Sequence, residues 1–245
     1  MIEKKYKIGY KNISLTLEEV RVYLAKKNYG KISRSAIEII QGRKILDVGC
    51  NLGVITYEIA NKNYDSEVIG IDSAHYLIEA AKDLYKSCSN LRYEAMDVYN
   101  LSFKNDEFDC VSLLEVIEHL NDPLKAIREI RRVLKPEGVI VLSTNNVYYS
   151  RFFIRQVVYD LLKRKPKLMI HDSSESWNRH IFAWDVSTLA TLLKICGFDY
   201  IDHFYAGSSG FYINGSVMNV AVDGFFAKIF PFFRATVVIK ARKAK

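Results

Sequence analysis

Between residues 44 and 143 short apolar runs alternate with helical stretches, and this rhythm restricts the fold more than any other feature of the chain. The runs are residues 44–48 (Lys44-Ile45-Leu46-Asp47-Val48), 68–72, 91–96, 108–114 and 139–143. Most are nearly continuous in apolar residues rather than alternating with polar ones, the pattern of strands covered on both faces; 91–96 (Leu-Arg-Tyr-Glu-Ala-Met) is the exception. Helical stretches at 76–85 and 124–134 fall between them, the second followed by the turn Lys135-Pro136-Glu137-Gly138. Strand, helix and strand in succession make βαβ units, and so an α/β fold with a parallel sheet and helices on both faces.

Upstream, Leu15-Thr16-Leu17-Glu18-Glu19 opens an amphipathic helix with Val20, Tyr23 and Leu24 on its apolar face. A second helix is expected from about Ile32 to Ile40, stopped by Gly42. After residue 144 the rhythm breaks into an aromatic and basic insertion over 145–184. It resumes with a helix at 185–196 ended by Gly197, a strand at 200–205 and a last strand at 236–241. No repeat or linker divides the chain. The expected organisation is one domain over 1–245, with N-terminal helices (1–43), a cofactor-binding part (44–144), a lid or substrate insertion (145–184) and a C-terminal helix and strands (185–245).

Hydrophobic residues make up 49% of the 245, enough for a large core and too many for a disordered chain. No apolar stretch reaches the roughly 18 residues of a membrane span, and the N-terminus lacks the apolar run of a secretory signal, so a cytoplasmic protein is expected. Cys50, Cys88, Cys110 and Cys196 are widely spaced, unlike a zinc site or a disulfide framework. The net charge of +7 is unevenly spread: residues 45–147 hold 17 acidic against 10 basic side chains, and both flanks are basic. An acidic centre between basic accessories suits a cofactor domain facing an anionic substrate, a membrane surface or a nucleic acid; solvated surface lysines and arginines are the plainer account.

The strongest motif is Ile45-Leu46-Asp47-Val48-Gly49-Cys50-Asn51-Leu52-Gly53, where the first strand of the rhythm turns into a helix. Small residues there let a ligand approach the backbone, and the helix start offers free N–H groups. Asp72 ends the next strand, where a carboxylate can accept from both hydroxyls of a ribose. A dinucleotide or another adenosine cofactor would suit these two features equally.

Further residues narrow that choice. Glu94-Ala95-Met96-Asp97-Val98, Leu101-Ser102-Phe103 with Glu107-Phe108-Asp109, and Leu134-Lys135-Pro136-Glu137-Gly138-Val139 follow in order. Together with Asp47–Gly53 and Asp72 they resemble the class I S-adenosylmethionine-dependent methyltransferases, closely over about 40–145 and loosely beyond. The resemblance implies a Rossmann-like, doubly wound, mostly parallel seven-stranded sheet with an antiparallel last strand. It implies S-adenosylmethionine as cofactor and S-adenosylhomocysteine as product, held by Asp47, Gly49, Cys50, Asn51, Gly53, Asp72, Ser73, Asp97, Val98 and Leu114. Asp47 would meet the methionine ammonium directly or through water, Asp72 the ribose, and Asp97 with Val98 the adenine. Asn51 stands where the family usually has Gly; Asn is the commonest non-Gly residue at positive φ, so the turn is expected to survive.

Leu113-Leu114-Glu115-Val116-Ile117-Glu118-His119-Leu120 closes the fourth run and resembles the corresponding string of ubiquinone-pathway O-methyltransferases. If Glu115 begins a helical turn, Glu118 and His119 share its face. His119, with Glu118, is then the expected catalytic pair, His119 removing a proton from an attacking hydroxyl. The alternative is a divalent cation such as magnesium on Glu115, Glu118, His119 and the distant His180, as the resemblance to small-RNA 2′-O-methyltransferases implies. A structural role for the three is the third reading.

Glu115, Tyr148, Tyr149 and His180 are the expected substrate residues. Residues 148–162 read as a helix with an apolar stripe beside Arg151 and Arg155, and Phe225-Phe226 to Phe232-Phe233-Arg234 repeats that chemistry. Both could cover an amphipathic or anionic substrate, touch a membrane peripherally, or pack on the sheet edge. The expected function is methyl transfer to a small molecule, at a hydroxyl, by a monomer or homodimer. An RNA methyltransferase is weighed against it but no RNA-binding module is evident, and DNA is not expected. A non-catalytic partner subunit that keeps the fold is the third possibility. A nicotinamide dehydrogenase fits the turn and the Glu-His string poorly.

Overall fold

In the computed structural model the described residues are 4–8, 13–27, 34–148, 161, 182–206, 211–213, 216–218 and 234–245. In chain order a hairpin, β1 (Lys5–Ile8) and β2 (Ile13–Thr16), leads into α1 (Leu17–Lys27) and the short α2 (Arg34–Ile37). Then come β3 (Lys44–Val48), α3 (Val54–Lys62), β4 (Glu67–Asp72), α4 (His75–Leu84), β5 (Leu91–Ala95) and β6 (Phe108–Leu114). A 3-10 turn at Ile117–His119 precedes α5 (Pro123–Val133) and β7 (Leu134–Asn145). The last elements are α6 (Val186–Ile195), β8 (Phe198–Ala206), the small hairpin β9 (Phe211–Ile213) and β10 (Ser216–Met218), and β11 (Thr236–Lys243).

Seven strands form one sheet in the order β5-β4-β3-β6-β7-β11-β8. Pairing is parallel from β5 to β7, while β11 runs antiparallel to both β7 and β8. The central strands β3, β4 and β6 are apolar almost throughout because helices cover both faces. Ile45 packs with Ile37, Ile59 and Ala60 on one side, and Leu46 with Ile127, Ile130 and Leu189 in the cluster on the other. The strand order reverses at β3, whose neighbours are β4 and β6. In open α/β sheets the crevice at that reversal, beyond the strands' carboxyl ends, is where ligands bind. The sequence motifs lie there.

The N-terminal segment differs from expectation. Residues 13–16 pair with β1 instead of opening the helix. The helix starts at Leu17 because Thr16 and Glu19 cap it reciprocally: the Glu19 amide donates to Thr16 Oγ1 (3.3 Å) and the Thr16 amide to Glu19 Oε2 (2.8 Å). The second helix is a single turn, Arg34–Ile37, shorter than residues 32–40. A small cluster of Tyr6, Val20, Leu52 and Leu77 ties this segment to α4 and to the turn after β3. β7 starts at Leu134 and takes in the expected turn, with a register shift against β6 and Glu137 at φ 64°. α6 is capped by Asp185, whose carboxylate accepts from the Thr188 amide at 2.8 Å. Tyr149, His180 and nearly all of the expected helix at 148–162 and aromatic segment at 225–234 lie outside the described residues.

Candidate active site

The turn after β3 is built for close approach. Gly49 (φ 76°) and Gly53 (φ 78°) are left-handed, and so is Asn51 (φ 52°), as its residue type allows. The Gly49 and Cys50 amides donate to the Ile71 carbonyl (2.8 and 2.9 Å), which fixes the turn to β4. A Cβ on Gly49 would lie 2.4 Å from Val116 Cγ2. Asn51 caps its own turn through Oδ1, which accepts from the Leu52 amide at 2.8 Å. Tyr93, reaching over from β5, donates to the Gly53 carbonyl at 2.7 Å.

Asp72 ends β4 facing this turn. Its Oδ2 accepts from the Asn51 amide and its Oδ1 from the Ala74 amide, both at 2.9 Å. Burial raises its pKa, and these amides oppose the rise. The Ser73 amide also faces this carboxylate, and the carboxylate lines the cleft. The cleft, about 330 Å³, is lined by Gly49, Asn51, Asp72, Ser73, Asp97 and Val98, all expected, and by Glu115 and His119. Asp97 is exposed and accepts from the Tyr99 amide at 2.9 Å. Met96, Tyr99, Val116, Leu120 and Asn121 also line it and carried no separate signal. Tyr99 is braced by the Asp122 amide, which donates to its Oη at 3.1 Å.

Asp47, Cys50, Gly53 and Leu114 do not line the cleft. Asp47 is only 3% exposed and points beneath the turn, accepting from Thr56 Oγ1 and Ser112 Oγ, each at 2.7 Å. Its carboxyl is pushed up to about 6 by burial, against those two hydroxyls. It underpins the turn from below, in contact with Thr56 and Ser112. Thr56 and Ser112 were missed. The signal for Ser112 was a polar residue in the middle of the apolar stretch 110–114.

The Glu115-to-His119 string also departs from expectation. Glu115 is left-handed (φ 57°), and only Ile117–His119 form a helical turn, of 3-10 type, so the three side chains do not share a helix face. Glu115 and His119 reach the cleft; Glu118, 1% exposed, does not. Glu118 accepts from Thr144 Oγ1 (2.9 Å) and Asn145 Nδ2 (3.3 Å), and Glu115 Oε1 accepts from Ser143 Oγ (2.9 Å). Burial raises both carboxyls well above the usual range, and the charge of Glu118 adds to the rise at Glu115. Among the described residues no three His, Cys, Asp or Glu side chains are arranged to hold a metal ion, so the described members of the magnesium set do not converge. Tyr148 is exposed beyond β7, its amide donating to Asn146 Oδ1 at 3.1 Å.

Residues 46–142, the crevice and the strands that build it, match the methyltransferase domain family. The chain carries a class I S-adenosylmethionine-dependent methyltransferase domain. An uncharacterized methyltransferase of Schizosaccharomyces pombe is 27% identical over 152 residues, 58% of this chain, and the match spans about half (55%) of that protein's length. A ubiquinone biosynthesis O-methyltransferase of Coxiella burnetii is 28% identical over 167 residues, 66% of this chain and 69% of the relative. Among solved structures, a protein in complex with the Trm112 methyltransferase activator of Haloferax volcanii superposes with a TM-score of 0.66 at 16% identity, covering 92% of this chain and 93% of that one. That likeness concerns the fold.

The residues of the methyltransferase cleft fit the cofactor of the family. The turn brings backbone close at Gly49, where a Cβ would fill the space, and Asp72 holds two braced acceptors beside it. Apolar Val48, Ile71, Val98 and Leu120 line the walls where an adenosine would be taken out of water.

Proposed function

We propose that this chain moves a methyl group from S-adenosylmethionine to a hydroxyl of a small molecule. The observation that carries the reading is Asp72, presented to the cleft with each oxygen held by a backbone amide beside the left-handed turn 49–53. Asp72 would accept from the ribose hydroxyls and Asp97 with Val98 would hold the adenine. Gly49 and Asn51 would let the methionine part lie on the backbone. The bound cofactor supplies an electrophilic methyl on a sulfonium. The chain's own residues then orient the acceptor and exclude water, where most of the rate is gained.

His119 lines the cleft and is the group we assign to receive the hydroxyl proton. Glu118 does not line the cleft, so its part is positioning, through Thr144 and Asn145 at the end of β7. Transfer to oxygen, rather than to nitrogen or carbon, is supported by the likeness to the ubiquinone-pathway enzyme.

Calorimetric titration with S-adenosylhomocysteine, with EDTA and then with added magnesium, tests the reading. Micromolar binding in both conditions is the expected result. No binding would overturn it and favour a partner subunit that has kept only the fold.

A further inference from the structure

Among the described residues three buried side-chain polar atoms have no hydrogen-bond partner: Trp184 Nε1, Arg234 Nε and Thr236 Oγ1. All three flank one point, the carboxyl end of β7. Thr236 is paired with Asn145 across the β7–β11 ladder. Trp184 bridges to Asn146 on the other side, and its carbonyl accepts from the Val147 amide at 3.0 Å. The Arg234 carbonyl accepts from Asn146 Nδ2 at 2.9 Å, which holds that residue beside the same strand end.

Elsewhere among the described residues the buried side-chain polar groups are satisfied. Asp47, Thr56, Ser112, Glu118, Ser143 and Thr144 all have partners. A buried N–H or O–H left unpartnered is costly, and more so on a guanidinium. Three such donors around one strand end therefore point to an acceptor that the described residues do not supply.

The strand end is joined to the cleft by hydrogen bonds. Glu115 lines the cleft and is bonded to Ser143, and Glu118 is bonded to Thr144 and Asn145. The unpartnered donors begin where that series stops, two residues along β7 from Ser143, at Asn145. At about 3.3 Å per residue that is roughly 7 Å, the reach of one aromatic ring. Neither carboxylate is bonded to the guanidinium: their partners are Ser143, Thr144 and Asn145.

We infer that the carboxyl end of β7, with Arg234 and Thr236 as principal donors and Trp184 on the opposite flank, receives an anionic oxygen group of the methyl acceptor. The acceptor is then a small molecule with its hydroxyl toward His119 and a carboxylate or phosphate toward Arg234. This deepens the methyltransferase reading and rests on it. Arg supplies a planar fork of donors suited to either anion, and the Thr236 hydroxyl a further one.

The test uses the whole chain with S-adenosylhomocysteine present, titrated with benzoate, with neutral benzamide of the same shape, and with inorganic phosphate, reading melting temperature and calorimetric heat. Benzoate or phosphate should raise the melting temperature and benzamide should not. The anion whose effect is larger identifies the group. In Arg234→Met the anion affinity should fall about tenfold or more, and in Thr236→Val by a smaller factor, while affinity for S-adenosylhomocysteine stays at the wild-type value. Equal effects of benzoate and benzamide, no effect of either anion on the wild type, or wild-type anion affinity in both variants would each overturn the inference. If Arg234→Met does not fold, Thr236→Val decides. Loss of S-adenosylhomocysteine binding by the wild type would instead overturn the methyltransferase reading, so the two failures are distinguishable.

Discussion

Asp72→Asn separates the two duties assigned to this carboxylate. In the native chain Oδ1 accepts from Ala74 and Oδ2 from Asn51. An amide has a single acceptor oxygen, so one of these N–H groups would face an NH2 donor. Leaving a part-buried donor unsatisfied costs about 1–3 kcal/mol, and the turn 49–53 is expected to lose stability of that order. A ligand hydroxyl that bonded to the charged carboxylate would lose about 1.5–3 kcal/mol more, a fall in affinity of roughly 10- to 100-fold. The assay is calorimetric titration of wild type and variant with S-adenosylhomocysteine and with an analogue lacking the ribose 2′-hydroxyl, alongside urea unfolding. If Asp72 meets the ribose, removing the hydroxyl weakens binding to the wild type but scarcely to the variant, and the two losses do not add. Additive losses, or wild-type affinity in a folded variant, would refute the ribose contact and leave Asp72 a brace for the turn. Because burial raises its pKa, affinity should also fall on acidification sooner than an ordinary aspartate would require.

Gly49→Ala places a Cβ 2.4 Å from Val116 at a left-handed position, and should cost about 1–3 kcal/mol in urea unfolding; adding Val116→Ala should restore only the part due to the clash. Asp47 has its folded pKa raised to about 6, so stability falls as pH rises from its unfolded value near 3.8 to about 6. Asp47→Asn should remove that slope, worth on the order of 2–3 kcal/mol, and an unchanged slope in pH-dependent melts would contradict the assignment. Glu115 and Glu118 act in the same direction, because both buried acids favour their protonated forms, and Glu118→Gln should flatten the fall in stability from about pH 4.5 upward. His119→Ala should lower turnover by about 100-fold or more while leaving affinity for S-adenosylhomocysteine within about twofold; equal turnover would make the histidine structural.

The cofactor half was legible because its signals are local. A strand buried on both faces must be largely apolar, and β3 and β6 fall on the expected residues. Asn51 was readable as a left-handed residue because few other side chains tolerate that backbone. What escaped was set by partners remote in sequence. The hairpin β1–β2 depends on a pairing, which overrode the apolar spacing that suggested helix at 15–16. Asp47 has the expected position, but its orientation is decided by hydroxyls 9 and 65 residues away. The backbone at Glu115 turns left-handed where its amide meets the Ser143 carbonyl, and no spacing rule anticipates that. The unpartnered donors at Trp184, Arg234 and Thr236 come together only when β11 and the residue before α6 meet at the end of β7.

The placement of β11 sets the order in which the molecule can be finished. It lies between β7 and β8, and among the described strands β8 pairs in the large sheet with β11 alone. While the ribosome makes the roughly 90 residues between Asn145 and Thr236, the edge of β7 waits with its N–H and C=O groups unpaired. At about 5–20 residues per second that wait lasts on the order of 5–20 s, longer than a helix or a hairpin needs to form. The nascent chain is therefore most prone to wrong strand pairing after its cofactor half has folded and before its last strand emerges. A chain stalled in that interval is the species a chaperone would meet.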